Sequence, residues 1–486
     1  MIISPADRDF FAQVARAAFV NPFSETRDTL DQLMAGSSGS GSKEDILATV
    51  IARVAERATA LQRTPGNTLQ RLPAADRETV RTVFLFDLYH RHLEDFDRLI
   101  QTQSAAGDAP CAVPFARELL AGFSRAGFSE AESLQYLGLF FQVRRAYYFI
   151  HAGLTGSGPA MRKVREHLWQ TLFTHNTRWF EQYLWNRMED FSVLLLGETG
   201  TGKGAAAAAI GRSGFIPFDP RSGRFSESFT RNFLAVNLSQ FAAGTLESEL
   251  FGHKRGAFTG AIENHDGVFS RCTPHGAIFL DEIGEVALPV QVKLLQVLQE
   301  RTFSPVGSHQ RLRFSGRVIA ATNRNLAALR LQGDFRDDFY FRLCSDVITI
   351  PPLHQRLKES PAEIGELIGG ILLRLAGTAS GKEVQVLRKA IERDVGKEYP
   401  WPGNVRELEQ AVRRVLVTGH YRGESRPALD EKQDRFISAI AAGELDAGGL
   451  LGGYCRMLHQ RHGTYEEVAR LTRLDRRTVK KHIEQT

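Results

Sequence analysis

Cysteine is scarce in this 486-residue sequence: Cys111, Cys272, Cys344 and Cys455 stand alone, with no CxxC pair. That spacing argues against a zinc site or a disulfide framework and suits a reducing compartment. Long apolar runs are missing as well. No stretch approaches the ~20 residues that cross a bilayer. The start, MIISPADRDFF, lacks a basic segment followed by an apolar one. A cytoplasmic protein without membrane contact is the expectation. A strong charge of one sign is also absent, since the formal net charge is only +5. Local clusters must therefore speak for partners. What remains is an ordinary soluble mix, 43% apolar and 24% charged, able to build a sizeable core. The length suits about two to four domains.

Texture divides the chain. Residues 1–154 read as helical: Ile46–Leu61 and Thr79–Leu99 repeat apolar residues at i, i+3, i+4 and i+7. Ala35–Ser42 (AGSSGSGS) and Ala105–Pro110 (AAGDAP) interrupt them. Short apolar runs then alternate with helical patterns. Ser192–Leu196, Phe233–Val236, Ala277–Leu280 and Arg317–Ala321 read as buried strands, and Pro289–Glu300 as a helix. Such alternation implies a parallel sheet. Helix returns over 353–423, residues 424–449 read as linker, and 450–486 as short helices.

The first of these strands ends in Gly197-Glu198-Thr199-Gly200-Thr201-Gly202-Lys203-Gly204, followed by the helix former Ala205–Ile210. Strand, glycine-rich loop, lysine and helix together form a P-loop. Its backbone N–H groups face phosphate oxygens, and its lysine reaches the β- and γ-phosphates. The Ser or Thr that would follow the lysine, and ligate magnesium, is Gly204. A metal must then rely on water, phosphate and a downstream acid. Asp281, at the end of Ala277–Leu280, is that candidate. Its neighbour Glu282 is the candidate general base for the attacking water.

Two further segments join the loop GETGTGKG: Leu246–Ala261 (LESELFGHKRGAFTGA) and Trp401–Leu408 (WPGNVREL). Together they resemble the AAA+ domain of bacterial enhancer-binding proteins, the NtrC-like ATPases that activate sigma-54 RNA polymerase. The resemblance runs from about Gly156 to Thr418. It implies an α/β AAA+ P-loop ATPase with a helical lid, residues 155–352 and 353–423, that uses ATP and Mg2+. Gly256, Ala257, Phe258, Thr259, Gly260 and Ala261 match the loop that touches sigma factor. Asn237 matches a switch residue that hydrogen-bonds the catalytic Glu. Thr322 and Asn323 match the first sensor and Arg406 the second. Arg336 and Arg342 match arginines that act on a neighbouring subunit. Such fingers require a ring, by resemblance a hexamer. Two places depart from the family: Trp169–Phe191 is longer and more aromatic than the usual link to the P-loop, and Phe269–Gly276 lacks the usual acidic-glycine spacing. At position 204 the family usually has a carboxylate, so the missing hydroxyl is less unusual than the small glycine itself.

Near the C-terminus, Tyr465–Ile483 holds a short helical pattern, a turn at Leu474, and a second helix that Asp475 can cap. From Arg470 to His482 six Lys or Arg face one Asp. This is the footprint of a helix-turn-helix on double-stranded DNA, with Arg476, Arg477, Thr478, Lys480 and Lys481 as contacts. It resembles the Fis-type module that ends many enhancer-binding proteins, and Leu450–His462 is a candidate dimer helix. Residues 1–154 stand where relatives carry sensors. Their helical texture disfavours a receiver domain, and Leu139–Ile150 (LFFQVRRAYYFI) either lines a ligand pocket or fills a core. The competing readings are a DNA-binding regulator with a vestigial ATPase and a different AAA+ remodelling machine.

Overall fold

In the computed structural model the apolar runs become strands β1 (Val193–Leu196), β2 (Phe233–Asn237), β3 (Ala277–Asp281) and β4 (Arg317–Thr322). A fifth, β5 (Asp346–Thr349), has no such run: only four residues long, it begins and ends on polar side chains. All five are parallel in the order β2-β3-β4-β1-β5. Val193 lies opposite Ile319 on one side and Asp346 on the other. The order reverses beside β1, and ligands of open α/β sheets collect at the carboxyl ends of strands near such a point. The structure describes residues 3–36, 41–63, 69, 72–423, 436, 439–440 and 442–484. They form two units, Met1–Gly419 and His420–Thr486.

β1, β3 and β4 are buried on both faces, which is why they read as continuous apolar runs, whereas β2 and β5, the outer strands, are only partly covered. Leu194, Ile278, Leu280, Val318 and Ala320 face a core shared with Leu246, Leu294 and Phe339. Val193, Leu195, Phe279, Ile319 and Ile348 face the other way. There they join one continuous core with Phe84, Phe96, Phe123, Leu137 and Phe173. The N-terminal helices thus roof the sheet directly. The α/β sheet, its helical lid and the all-α N-terminal region agree with the expected AAA+ architecture.

Those helices are α1 (Pro5–Ala18), α2 (Glu25–Ala35), α3 (Lys43–Arg63), α4 (Ala74–Arg91), α5 (Leu93–Ala106), α6 (Ala116–Ala126), α7 (Glu130–Gly153) and α8 (Pro159–Phe173). Ser4 and Ser24 cap α1 and α2, and Ser129 with Glu132 forms a capping box on α7. The pattern over 79–99, read as one helical stretch, is two helices. His92 leaves helical geometry at φ −108° and ψ 15°, and its ring pairs with Asp95 at 2.8 Å and stacks on Phe115. The aromatic link before β1 has a packing reason: Trp169, Phe173 and Phe180 are buried in the N-terminal core.

In the second unit, helix Ala447–His462 starts three residues before the expected domain boundary because Asp446 caps it. Much of the expected linker, residues 424–435 and 437–438, lies outside the described residues. Tyr465–Thr472 and Arg476–Glu484 follow and close a small core of Cys455, Leu458, Val468 and Val479. Among the described residues, no helix is long and apolar enough to cross a membrane.

Candidate nucleotide-binding site

The loop Gly197–Gly202 leaves β1 and enters helix Lys203–Gly211. Its turn depends on glycine at two positions. Gly197 has φ +155°, and a Cβ there would sit 2.8 Å from the Ile350 carbonyl; Gly200 has φ +80°, and a Cβ would sit 2.2 Å from the Gly403 carbonyl. Lys203 is buried and folds back on the loop, donating to the carbonyls of Gly197 at 2.8 Å and Glu198 at 3.1 Å. Burial pulls its ammonium below the ordinary lysine value, against the opposing pull of Glu282 and Asp281. Both carboxylates therefore act on the same ammonium. Thr201 closes the turn by donating to the Glu198 carbonyl.

A cavity of about 460 Å³ opens over this loop. Thr199–Ala205, Asn237, Asp281, Glu282 and Arg406 line it together with apolar Leu154, Met161, Leu367 and Ile371 and with Arg356, Arg374 and Glu409. That mixture of charged and apolar side chains suits a ligand with both a phosphate chain and a flat base. Glu282 holds a left-handed backbone, φ +58° and ψ 48°, which is strained for a residue with a Cβ. Its N–H donates to Asp281 Oδ1 at 3.1 Å, and its carboxylate accepts the Asn323 N–H at 3.4 Å. The Asn323 side chain donates to Thr199 Oγ1 at 2.8 Å. Asn323 thus bridges the candidate base and the phosphate loop. Thr322 lies fully buried behind it, its hydroxyl accepting the Arg324 N–H.

A metal would find Asp281 here. Gly204 offers no ligand, and a Cβ at that position would meet nothing within 4 Å. The donor set fits a cation held by one carboxylate together with water and phosphate.

Among the described residues Asn237 makes no hydrogen bond to Glu282, contrary to expectation, although it lines the same cavity. Its carboxamide oxygen accepts from the Ser239 N–H at 3.0 Å and the Ser239 hydroxyl at 2.8 Å, capping the turn 238–240. β2 still places it beside Asp281 in register. Arg336 and Arg342 are exposed and do not line the cavity. Arg336 forks onto Asp338 at 3.0 and 2.7 Å, and Arg342 donates to the Leu298 carbonyl.

Two contributors escaped the sequence reading. Asn404, fully buried with φ +55°, donates to Glu198 Oε2 and the Thr199 carbonyl, each at 3.0 Å, and accepts the Leu353 N–H at 2.6 Å. It ties the lid helix Asn404–Thr418 to the phosphate loop, aided by the Val405 N–H on the Gly200 carbonyl. Glu407 closes the same turn, accepting from Gly403 N–H at 2.7 Å and Tyr399 at 2.6 Å. The other contributor is Arg356, buried against Glu363, which donates to the Thr155 carbonyl at 2.6 Å and fixes one wall. A left-handed asparagine in the run WPGNVREL was the available signal for the first.

The loop Gly256–Ala261 lies between His253 and His265, which form a β-bridge. The Gly256 N–H closes it on the Ala261 carbonyl at 2.8 Å, and Gly256 and Gly260 take φ +82° and +102°. Phe258 is 43% exposed, touching His253 edge-on, and Thr259 is exposed. An ordinary hairpin would bury that Phe. In the second unit Arg476, Arg477, Lys480 and Lys481 are exposed on helix Arg476–Glu484. Thr478 is half-buried and donates to Asp475 Oδ2, so it serves the cap.

Residues 175–350 match the sigma-54 interaction domain family. The match encloses Lys203, the 256–261 loop, Asp281, Glu282, Arg336 and Arg342. Three relatives are similar over this region. The Nif-specific regulatory protein of Azotobacter vinelandii is 38% identical over 276 residues, covering 57% of this chain and 46% of that protein. The hydrogenase transcriptional regulatory protein HoxA of Cupriavidus necator is 41% identical over 230 residues, 47% of this chain and 43% of that protein. The transcriptional regulatory protein GlrR of Escherichia coli K12 is 37% identical over 274 residues, 56% of this chain and 57% of that protein. The chain spans about half the length of the curated relatives it matches.

Proposed function

Starting from a chain that carries a sigma-54 interaction domain, we propose that it is a cytoplasmic sigma-54-dependent transcriptional activator. It hydrolyses ATP to remodel the closed RNA polymerase–promoter complex. The observation that carries this reading is the convergence of Lys203, Asp281, Glu282 and Arg406 on one cavity. Lys203 leaves the Gly197 and Glu198 carbonyls to neutralise the β- and γ-phosphates. Glu282 takes a proton from the attacking water, held in place by the Asn323 N–H. Magnesium bound through Asp281 would offset charge on the phosphoryl oxygens.

Asn323 gives this site an output. Its side chain reads the loop at Thr199 while its backbone holds Glu282. A γ-phosphate competing for those groups moves β3 and β4 relative to the loop. That motion reaches Phe258 and Thr259, the apolar probe and polar handle that meet sigma factor. Arg336 and Arg342 complete the cavity of a neighbouring copy, so the working form is a ring, a hexamer by family resemblance. Helix Arg476–Glu484 lies in the major groove of enhancer DNA, with Arg476, Arg477, Lys480 and Lys481 on bases and phosphates. The retained Lys203, Asp281 and Glu282 speak against a vestigial ATPase, and the 256–261 loop against an unrelated AAA+ machine.

The test is transcription in vitro from a sigma-54 promoter with ATP, comparing the native chain with Thr259→Ala. Open complexes are expected from the native chain alone. Equal activation by the variant would overturn the assignment of the loop.

A further inference from the structure

A second cavity, about 400 Å³, lies inside the N-terminal helical region, away from the nucleotide site. Residues of helices α4 and α7 and of the link around Trp169, Phe173 and Phe180 line it, and it opens to the surface. Ordinary packing leaves voids of only about a water molecule. A space this large, walled by Phe86, Leu139, Phe140 and Val143, is of the size of small-molecule sites.

Its polar groups define the occupant. Arg27 is neutralised by Asp31 at 2.8 Å and Arg144 by Asp97 at 2.7 Å. The Tyr136 hydroxyl is taken by Glu181, and Thr82 and Thr177 donate to backbone carbonyls. His90 is different. Its Nδ1 lies 2.7 Å from the Phe86 carbonyl, an acceptor, so Nδ1 carries the proton. Nε2 is then a lone-pair acceptor, and no bond to it occurs among the described residues. Burial holds this ring neutral, pushing its pKa down to about 3.

We propose that this cavity is an effector site for a small neutral molecule with a hydrocarbon body and one hydroxyl donor, received by His90 Nε2. Charged ligands are disfavoured because the lining cations already have carboxylate partners. The walls lead to the motor. Leu139, Val143 and Tyr147 share the cavity face of α7. From the same helix Arg145 donates to the Arg212 carbonyl at 2.6 Å and the Gly214 carbonyl at 2.7 Å, just past helix Lys203–Gly211. From α8, Thr171 and His167 both bond Asp346 of β5. An occupant that firms α7 and α8 steadies the phosphate-loop helix and raises ATP turnover. This last step rests on the ATPase reading; binding does not.

Calorimetric titration of the full chain with 4-hydroxybiphenyl tests the site, with biphenyl and biphenyl-4-carboxylate as comparators. One saturable site for the phenol is expected, at least tenfold weaker for biphenyl and absent for the carboxylate. Leu139→Trp should abolish binding while nucleotide binding persists. His90→Phe, close in size, should erase the tenfold preference for the phenol. Absence of saturable phenol binding, or unchanged binding by Leu139→Trp, overturns the site; an unchanged preference in His90→Phe overturns the role of His90. In parallel, the phenol should raise ATP turnover at least twofold. Binding with unaltered turnover overturns the coupling. Binding with no turnover at all counts against the ATPase reading and leaves the site standing.

Discussion

Arg145, a fully buried guanidinium on α7, donates to the backbone carbonyl of Gly214 at 2.7 Å, beyond the end of the phosphate-loop helix. It also bonds the carbonyls of Arg212 and Phe141, and its ring neighbours are Phe141 and Phe229. Among the described residues no carboxylate pairs with it, and burial lowers its pKa to about 9, so it stays charged at neutral pH. Cations are favoured near the C-terminal end of a helix. Arg145→Met keeps the bulk and removes the donors. We expect a loss of about 2 kcal/mol, less than three charged hydrogen bonds because a buried charge also disappears. The shift of the denaturant midpoint measures it. Unchanged stability would mean that this contact is incidental.

Asn404 gives a sharper test of the lid. Asn404→Ala removes two donations to the phosphate loop and one acceptance from Leu353, and forces a Cβ residue with no stabilising side chain to keep φ +55°. About 3 kcal/mol of stability should go, with a clear loss of nucleotide affinity. Asn404→Gly relieves the backbone and keeps the hydrogen-bond loss. Its denaturation midpoint should fall between the two. Equal midpoints for Ala and Gly would remove the strain component.

The central strands announced themselves because both sheet faces are covered there, leaving β1 no polar position and β3 none until its last residue, Asp281. β5 was hidden for the opposite reason: Asp346 is buried in part by pairing with His167, a partner 179 residues away. The phosphate loop was legible because its chemistry is local, one lysine and four glycines within eight residues. Asn404 was not, because its function is to join three segments distant in sequence. The apolar run Leu139–Ile150 divides between two surroundings: Phe141, Ala146 and Ile150 fill the core, while Leu139, Val143 and Tyr147 line the cavity proposed above to take a ligand. Only the placement of α4 and the 169–180 link could separate those faces.

The His167–Asp346 pair should leave a pH signature. The hydrogen bond to Asp346 raises the His167 pKa against its partial burial. Its stabilising contribution is therefore complete below about 6.5 and fades as pH rises through the raised folded value. Burial works to raise the Asp346 pKa, but bonds from His167 and Thr171 outweigh it and leave it lowered. That contribution is present above about 4 and fades as pH falls through the lowered value. The pair is strongest between these limits. Both side chains are partly exposed, so the effect is modest. His167→Gln should flatten the stability profile between about pH 6 and 8. A profile identical to that of the native chain would place the pH dependence elsewhere.

Arg336 and Lys203 make the ring reading testable in a mixture. Arg336 stands outside its own cavity, its side chain paired with exposed Asp338, so Arg336→Ala should fold normally yet hydrolyse ATP at ~10⁻³ of the native rate or less. Lys203→Ala should bind no nucleotide, because the group that reaches the phosphates is gone. Neither variant is active alone. In a mixed ring, however, an Arg336→Ala chain supplies an intact cavity and a Lys203→Ala neighbour supplies an intact arginine. At equal proportions and random assembly, about a quarter of interfaces join the right pair. Activity should therefore reappear on mixing and scale with total protein concentration. Two inactive proteins that stay inactive when mixed and equilibrated would show that Arg336 does not act across an interface.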